Sequence, residues 1–279
     1  MASSGKQRGP SGGAWAVTIV LALVLGGLVY WAYKYDFGFP NGISEQSAIT
    51  MHFWNGTWVA AFAVGILTWG LMIFAAVAYR RRRGDAIPRQ LRYNIPIEVM
   101  YTVMPIAMVL AIVYFTVRDE AQLTKVSNDQ QQTVQVTGFR WSWNFYYKNA
   151  DVYDTGLPTL DQPGMPTLYL PVNQKVQFKL GSPDVIHSFW VPQFLFKMDV
   201  VPGRINTFEV TPNQLGTFAG KCAEYCGTDH SRMLFNVKVV DQADFDAHMA
   251  ELKAKGQTGD PDSGRTSAAA QVQGTKEQS

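Results

Sequence analysis

A chain of 279 residues has room for one soluble domain of ordinary size together with membrane segments. Its formal net charge of +2 makes no electrostatic case for a nucleic-acid partner, and none is expected. Aromatic residues make up 13% and charged residues only 16%, a balance suited to a protein that sits partly in lipid, where charge is excluded and aromatics collect at the interfaces.

Residues 1–13 are basic and too rich in Gly and Ser to fold, and the run Ala14 to Tyr33 that follows carries no charge. Such a start reads as a secretory signal or as a retained anchor. The anchor is favoured because no small-x-small cleavage site follows, so 1–33 forms a signal or anchor segment. Residues 34–56 are polar and aromatic, with a turn signal at Pro40-Asn41-Gly42. Thr57 to Tyr79 then offers 23 uncharged residues, about 35 Å as a helix and enough to cross the hydrocarbon core. Ile95 to Val117 is a second run of the same length, closed by Arg118-Asp119-Glu120. Between the runs lie Arg80, Arg81, Arg82, Arg83, Arg89 and Arg92. Arginines lodged between two spans mark a cytoplasmic loop, so the hairpin of residues 34–118 sends everything after it to the outer face of the membrane. Glu98 begins the second span, and a carboxylate at that depth is costly without water or a partner, which makes it a functional candidate.

From residue 119 the periodicity changes to alternation. Strands are predicted at Thr133 to Thr137, Leu168 to Val172, Lys175 to Leu180, Asn206 to Val210 and Leu234 to Val240, punctuated by Gly and Pro. Short strands at this spacing suggest an all-β Greek-key sandwich or barrel over 119–255. The aromatic run Gly138 to Tyr147 reads mostly as packing, although Trp141 and Trp143, two apart on one strand, would share a face and could form an exposed patch. Asp241 caps a short helix ending near Lys255, and the composition of 256–279 implies a disordered tail.

Chemistry concentrates in Cys222 to Met233, which reads Cys-Ala-Glu-Tyr-Cys-Gly-Thr-Asp-His-Ser-Arg-Met and holds both cysteines, His230 and Met233. His187, upstream in Asp-Val-Ile-His-Ser-Phe-Trp, can fold back onto it. Thiolate and thioether ligands favour copper, and imidazole is compatible with it. A mononuclear electron-transfer site needs one thiolate, whereas two thiolates can bridge two copper ions, with Met233 and a loop carbonyl, best placed at Glu224, in the weak axial positions. On the oxidising side of a membrane a Cys222–Cys226 disulfide is the ordinary alternative. Asp184, three residues before His187, could orient the site, belong to an acidic docking surface or cap a turn.

These residues resemble subunit II of the haem-copper cytochrome c oxidases, in its bacterial, actinobacterial-like aa3-type form. The resemblance implies a cupredoxin domain with a dinuclear copper A centre that takes electrons from cytochrome c and passes them to haem in subunit I, where oxygen reduction is coupled to proton pumping. It implies His187, Cys222, Cys226, His230 and Met233 as side-chain ligands and Glu224 as a carbonyl ligand, the Glu224 carboxylate also reaching a magnesium ion shared with subunit I. It further implies Trp141 as the point where electrons enter and Glu98 as the entrance of a proton path. Asp199 and Arg204 match positions at the subunit I boundary. The implied partners are subunit I, other oxidase subunits, cytochrome c and membrane lipid, in a bacterial cell membrane. Alternatives are a copper A subunit of a nitric oxide reductase and a Sco-type copper chaperone, the latter requiring a thioredoxin-like fold.

Overall fold

The computed structural model describes residues 12–80, 90–157 and 164–262. The expectations for residues 1–11, for Arg81, Arg82, Arg83 and Arg89, and for 263–279 lie outside the described residues. The chain divides into a helical unit and a β unit, the second of which includes residues 40–51.

Three helices are long and apolar enough to cross a membrane: α1 (Gly12–Lys34), α2 (Ser47–Ala78) and α3 (Ile95–Leu123). The first is continuous through the run read as a signal or anchor. The second starts ten residues before the predicted Thr57, because Ser44 and Ser47 cap it reciprocally, Ser47 N–H donating to Ser44 Oγ at 3.1 Å and Ser44 N–H to Ser47 Oγ at 3.4 Å. A hydropathy window misses that first polar and aromatic stretch. The third helix runs past Arg118-Asp119-Glu120 to Leu123, since charges end a span without ending a helix.

The β unit is a sandwich of two five-stranded sheets. One sheet holds β1 (Gln132–Phe139), β2 (Ser142–Tyr147), β3 (Val152–Thr155), β5 (Val176–Gly181) and β8 (Asn206–Val210) in the order β3-β2-β1-β5-β8. The other holds β4 (Thr167–Pro171), β6 (His187–Val191), β7 (Phe196–Val200), β9 (Gly216–Cys222) and β10 (Leu234–Val240) in the order β4-β10-β9-β6-β7. Both sheets are antiparallel except for the pairs β1–β5 and β4–β10. This is the all-β architecture expected behind the membrane helices, and it overturns the chaperone alternative, which needs a thioredoxin-like fold.

Aromatic rings fill the space between the sheets. Phe235 of β10 meets Trp143 and Phe145 of β2, with centroids 5.3 and 5.4 Å apart, and stacks on Phe189 of β6 at 5.0 Å. Gly220, opposite Phe235 in the β9–β10 register, makes this possible: a Cβ there would lie 2.1 Å from the Phe235 ring. Strands β2, β6, β7 and β9 carry too little strict alternation to be predicted, because most of β2 and β6 is buried on both faces.

The helix α4 (Gln242–Ala254) packs Phe245, Met249 and Leu252 inward and is capped by Asp241, whose Oδ1 accepts from Asp244 N–H at 3.0 Å. Residues 256–262, expected to belong to a disordered tail, are instead held on the β unit. Tyr153 N–H donates to Gln257 O at 3.0 Å, Gly259 N–H to Asp151 O at 3.1 Å, and Asn144 Nδ2 to buried Asp262 Oδ2 at 2.6 Å. This segment covers the open edge at β3, a need that composition does not reveal.

Candidate metal centre

The loop 223–233 joins β9 to β10. Its two ends are fixed by the hairpin, where Cys222 N–H donates to Met233 O at 3.0 Å, and by the neighbouring strand, where Ala223 N–H donates to Ser188 O at 3.0 Å. Because Phe189 pairs with Cys222 in the β6–β9 register, His187 at the start of β6 is carried up to the thiols. His187 therefore opens a strand.

All the residues singled out as metal ligands converge. Cys222 Sγ lies 4.0 Å from Cys226 Sγ, too far for a disulfide bond of about 2.05 Å, and both cysteines are free and buried. His187 Nδ1 is 3.9 Å from Cys222 Sγ, and His230 Nδ1 is 3.5 Å from Cys226 Sγ. Met233 Sδ lies 3.7 Å from Cys226 Sγ, and the Glu224 carbonyl oxygen 3.2 Å from Cys222 Sγ. The donor atoms of His187, Cys222 and Cys226 fall within 4.8 Å of one another, a spacing that can hold a metal ion. Two thiols, two imidazole nitrogens, a thioether and a carbonyl form a soft to borderline set that fits copper. The Glu224 side chain itself is exposed.

The surroundings prepare these donors. Asp184 Oδ1 lies 2.9 Å from His187 Nε2, so the carboxylate accepts a hydrogen bond from Nε2–H and leaves the Nδ1 lone pair turned toward the thiols. The same carboxylate accepts from Val185 N–H at 2.6 Å and, through Oδ2, from Arg140 N–H at 2.8 Å and Arg140 Nε at 3.4 Å. Burial pushes the Asp184 carboxyl up, but the hydrogen bonds from His187, Val185 and Arg140 outweigh it and leave it below its ordinary value. Burial holds His187 below the usual imidazole range against the pull of Asp184, which keeps the ring neutral as a ligand must be. Burial and the adjacent Cys222 push the Cys226 thiol up to about 12, so metal binding there displaces a proton.

The two tryptophans part company. Trp141 sits in the turn between β1 and β2, half-buried, and its Nε1 donates to the Cys226 carbonyl at 3.1 Å. Trp143 is fully buried in β2, 6.2 Å from the His187 ring, and its Nε1 donates to the Met233 carbonyl at 3.3 Å. The shared strand face expected for them is lost because β2 begins only at Ser142. Both instead brace the ligand loop by its backbone, a role missed in the sequence although a buried indole N–H always needs an acceptor. Gly227, at φ +121°, lets Trp141 lie close: a Cβ would stand 3.0 Å from its Nε1. Arg140 was likewise unmarked, since only folding brings it to Asp184. Glu98 belongs to the helical unit, where its carboxylate accepts from Asn94 N–H at 2.8 Å and closes the first turn of α3.

Comparison with known proteins is consistent along the chain. Residues 132–240 match the family described as cytochrome c oxidase subunit II, periplasmic domain. A probable cytochrome c oxidase subunit 2 of Streptomyces avermitilis is 44% identical over 280 residues, covering 86% of this chain and 87% of its own. The cytochrome c oxidase subunit 2 of Mycobacterium tuberculosis is 31% identical over 307 residues, covering 88% and 85%. Among solved structures, the periplasmic domain of subunit II of cytochrome oxidase of Bradyrhizobium japonicum is 29% identical, covers 47% of this chain and 99% of its own, and superposes with a TM-score of 0.44. With that identity over most of both chains, and with a copper-type donor cluster inside the matched region, the chain belongs to the cytochrome c oxidase subunit 2 family, as a membrane-bound subunit of an oxidoreductase complex with an extracytoplasmic β domain.

Proposed function

We propose that the donor cluster holds the dinuclear copper A centre of an electron-accepting subunit. In this reading Cys222, Cys226, His187, His230, Met233 and the Glu224 carbonyl would hold the copper, with thiolate, imidazole, thioether and carbonyl donors. The observation that carries it is the pair of thiols 4.0 Å apart, with a histidine Nδ1 at 3.9 Å from one and 3.5 Å from the other. When bound, such a copper pair would supply a one-electron store.

The chain's own residues bind, orient and shield. Asp184 fixes the tautomer of His187, Trp143 pins the Met233 carbonyl, and the burial of His187 and Met233 keeps water from that side of the site. Trp141, half-buried and hydrogen-bonded to the Cys226 carbonyl, is where electrons from cytochrome c enter. They leave toward haem in subunit I, where oxygen is reduced. The exposed Glu224 carboxylate is offered to a magnesium ion at that boundary, and Glu98 stands at the start of α3 as the entrance of a proton path. The arginine-rich connection between α2 and α3 faces the cytoplasm of a bacterial cell, which makes the chain multi-pass in its lipid membrane and puts the β domain outside.

The test is copper loading of the purified full-length chain, counting metal per chain and recording its electron paramagnetic resonance spectrum. Two coppers sharing one unpaired electron, lost in Cys222→Ser, is the expected result. One copper with a four-line spectrum would overturn the dinuclear reading.

A further inference from the structure

We propose that a groove between α1 and α2 binds an anionic phospholipid of the leaflet on the arginine-rich side, with one acyl chain in the groove and the phosphate at Arg80. The groove has a volume of about 310 Å³ and is lined by Trp15, Thr18, Ala22 and Leu25 of α1 and by Gly70 and Phe74 of α2, among others. Trp15 and Phe74 close one end, their ring centroids 4.9 Å apart. The wall is open at Gly70, where a Cβ would meet no atom within 4 Å.

Chemistry and length point to one occupant. Apart from the Thr18 hydroxyl and the Trp15 indole N–H the lining side chains are apolar, so the groove gives water few partners. From Trp15 to Leu25 it extends about 15 Å along the helix, half of a hydrocarbon core of about 30 Å. A transmembrane helix from another chain would need a seam of full length, whereas an acyl chain occupies one leaflet only. Charge completes the match. Residues 66–79 carry no charge, and α2 rises about 6 Å from Phe74 to its end at Ala78, two residues before Arg80, which takes a cation from acyl-chain depth toward head-group level. An apolar groove between spans, followed by a permanent cation just beyond the end of one of them, recognises a lipid with an apolar tail and an anionic head.

The experiment uses the oxidase complex carrying this chain, reconstituted in bilayers with diazirine-tailed phosphatidylglycerol or phosphatidylcholine, and maps the labelled peptides after illumination. Phosphatidylglycerol is expected to label residues 15–25 and 66–74 about fivefold more than phosphatidylcholine does, the discrimination of one basic residue near the head group. Gly70→Leu fills the groove and should abolish that labelling with copper content unchanged. Arg80→Gln should keep the labelling and lose the preference for the anionic lipid. Labelling no stronger than on α3, labelling unchanged in Gly70→Leu, a preference that survives Arg80→Gln, or a groove shielded by another subunit would each overturn the proposal.

Discussion

The two histidines of the metal centre are held in unlike ways. His187 is fully buried at the start of β6, in a register fixed by the Phe189–Cys222 pair, and its outer nitrogen is held by Asp184. His230 sits half-buried on a 3₁₀ turn within the ligand loop, beside the ring of Tyr225, which is 78% exposed. One half of the centre is therefore built on strands and buried rings, the other on a loop tied down by Trp141 and the hairpin ends. A site of this kind can hold a fixed geometry on one side and still be opened from the other.

The largest effect expected is on the strand side. Trp143→Ala removes a buried ring that touches Phe189, Phe235 and His187 and supports the Met233 carbonyl, and should cost about 3–5 kcal/mol in denaturant unfolding of the β domain. Tyr225→Ala on the loop side should stay within about 0.5 kcal/mol. Equal losses in the two variants would erase the distinction. Gly227→Ala tests the loop side where it is tightest: a side chain at φ +121° that also crowds Trp141 should cost about 1–3 kcal/mol and shift the tryptophan fluorescence, without the collapse expected for Trp143→Ala.

Asp184 tells the halves apart by metal affinity. Losing the carboxylate that orients a ligand histidine typically weakens binding by about 10–100-fold. Asp184→Ala should therefore raise the copper dissociation constant by at least about tenfold in a chelator competition, and Asp184→Asn, which keeps an acceptor, by less. If the alanine variant binds copper as tightly as the parent, His187 is positioned by its strand alone.

The sequence was legible where one residue type could do one job. The donor set, the apolar spans and the alternating strands at Thr133 to Thr137 and Leu234 to Val240 were all readable. What escaped notice depended on partners far away in the chain. Arg140 meets Asp184 across 44 residues, the Trp141 indole finds Cys226 across 85, and Asn144 reaches Asp262 across 118. No local pattern encodes such pairs. Strands β2 and β6 were obscured by burial on both faces, and the start of α2 by a capping pair that carries no hydrophobic signal.

A third histidine, His248, lies outside the donor cluster and offers a contrast to His187. His248 of α4 is stacked on Tyr169 with centroids 3.6 Å apart, and its Nδ1 lies 3.5 Å from Glu251 Oε2, but its Nε2 is buried without a hydrogen-bond partner. Burial holds this imidazole below its ordinary value, against the pull of Glu251 and with Lys255 and Lys238 nearby adding to the depression. The folded state then binds the proton less readily than the unfolded chain, whose histidine titrates near the usual value of about 6.5. Stability from this group is complete above that pH and is lost as the pH falls through the folded value, with a slope of at most about 1.4 kcal/mol per pH unit. His248→Phe keeps a ring on Tyr169 and removes the proton site, so the variant should gain stability relative to the parent on acidification below about pH 6.5. A difference independent of pH would mean that the buried Nε2 finds an acceptor once protonated, and that burial alone does not set the contrast with His187.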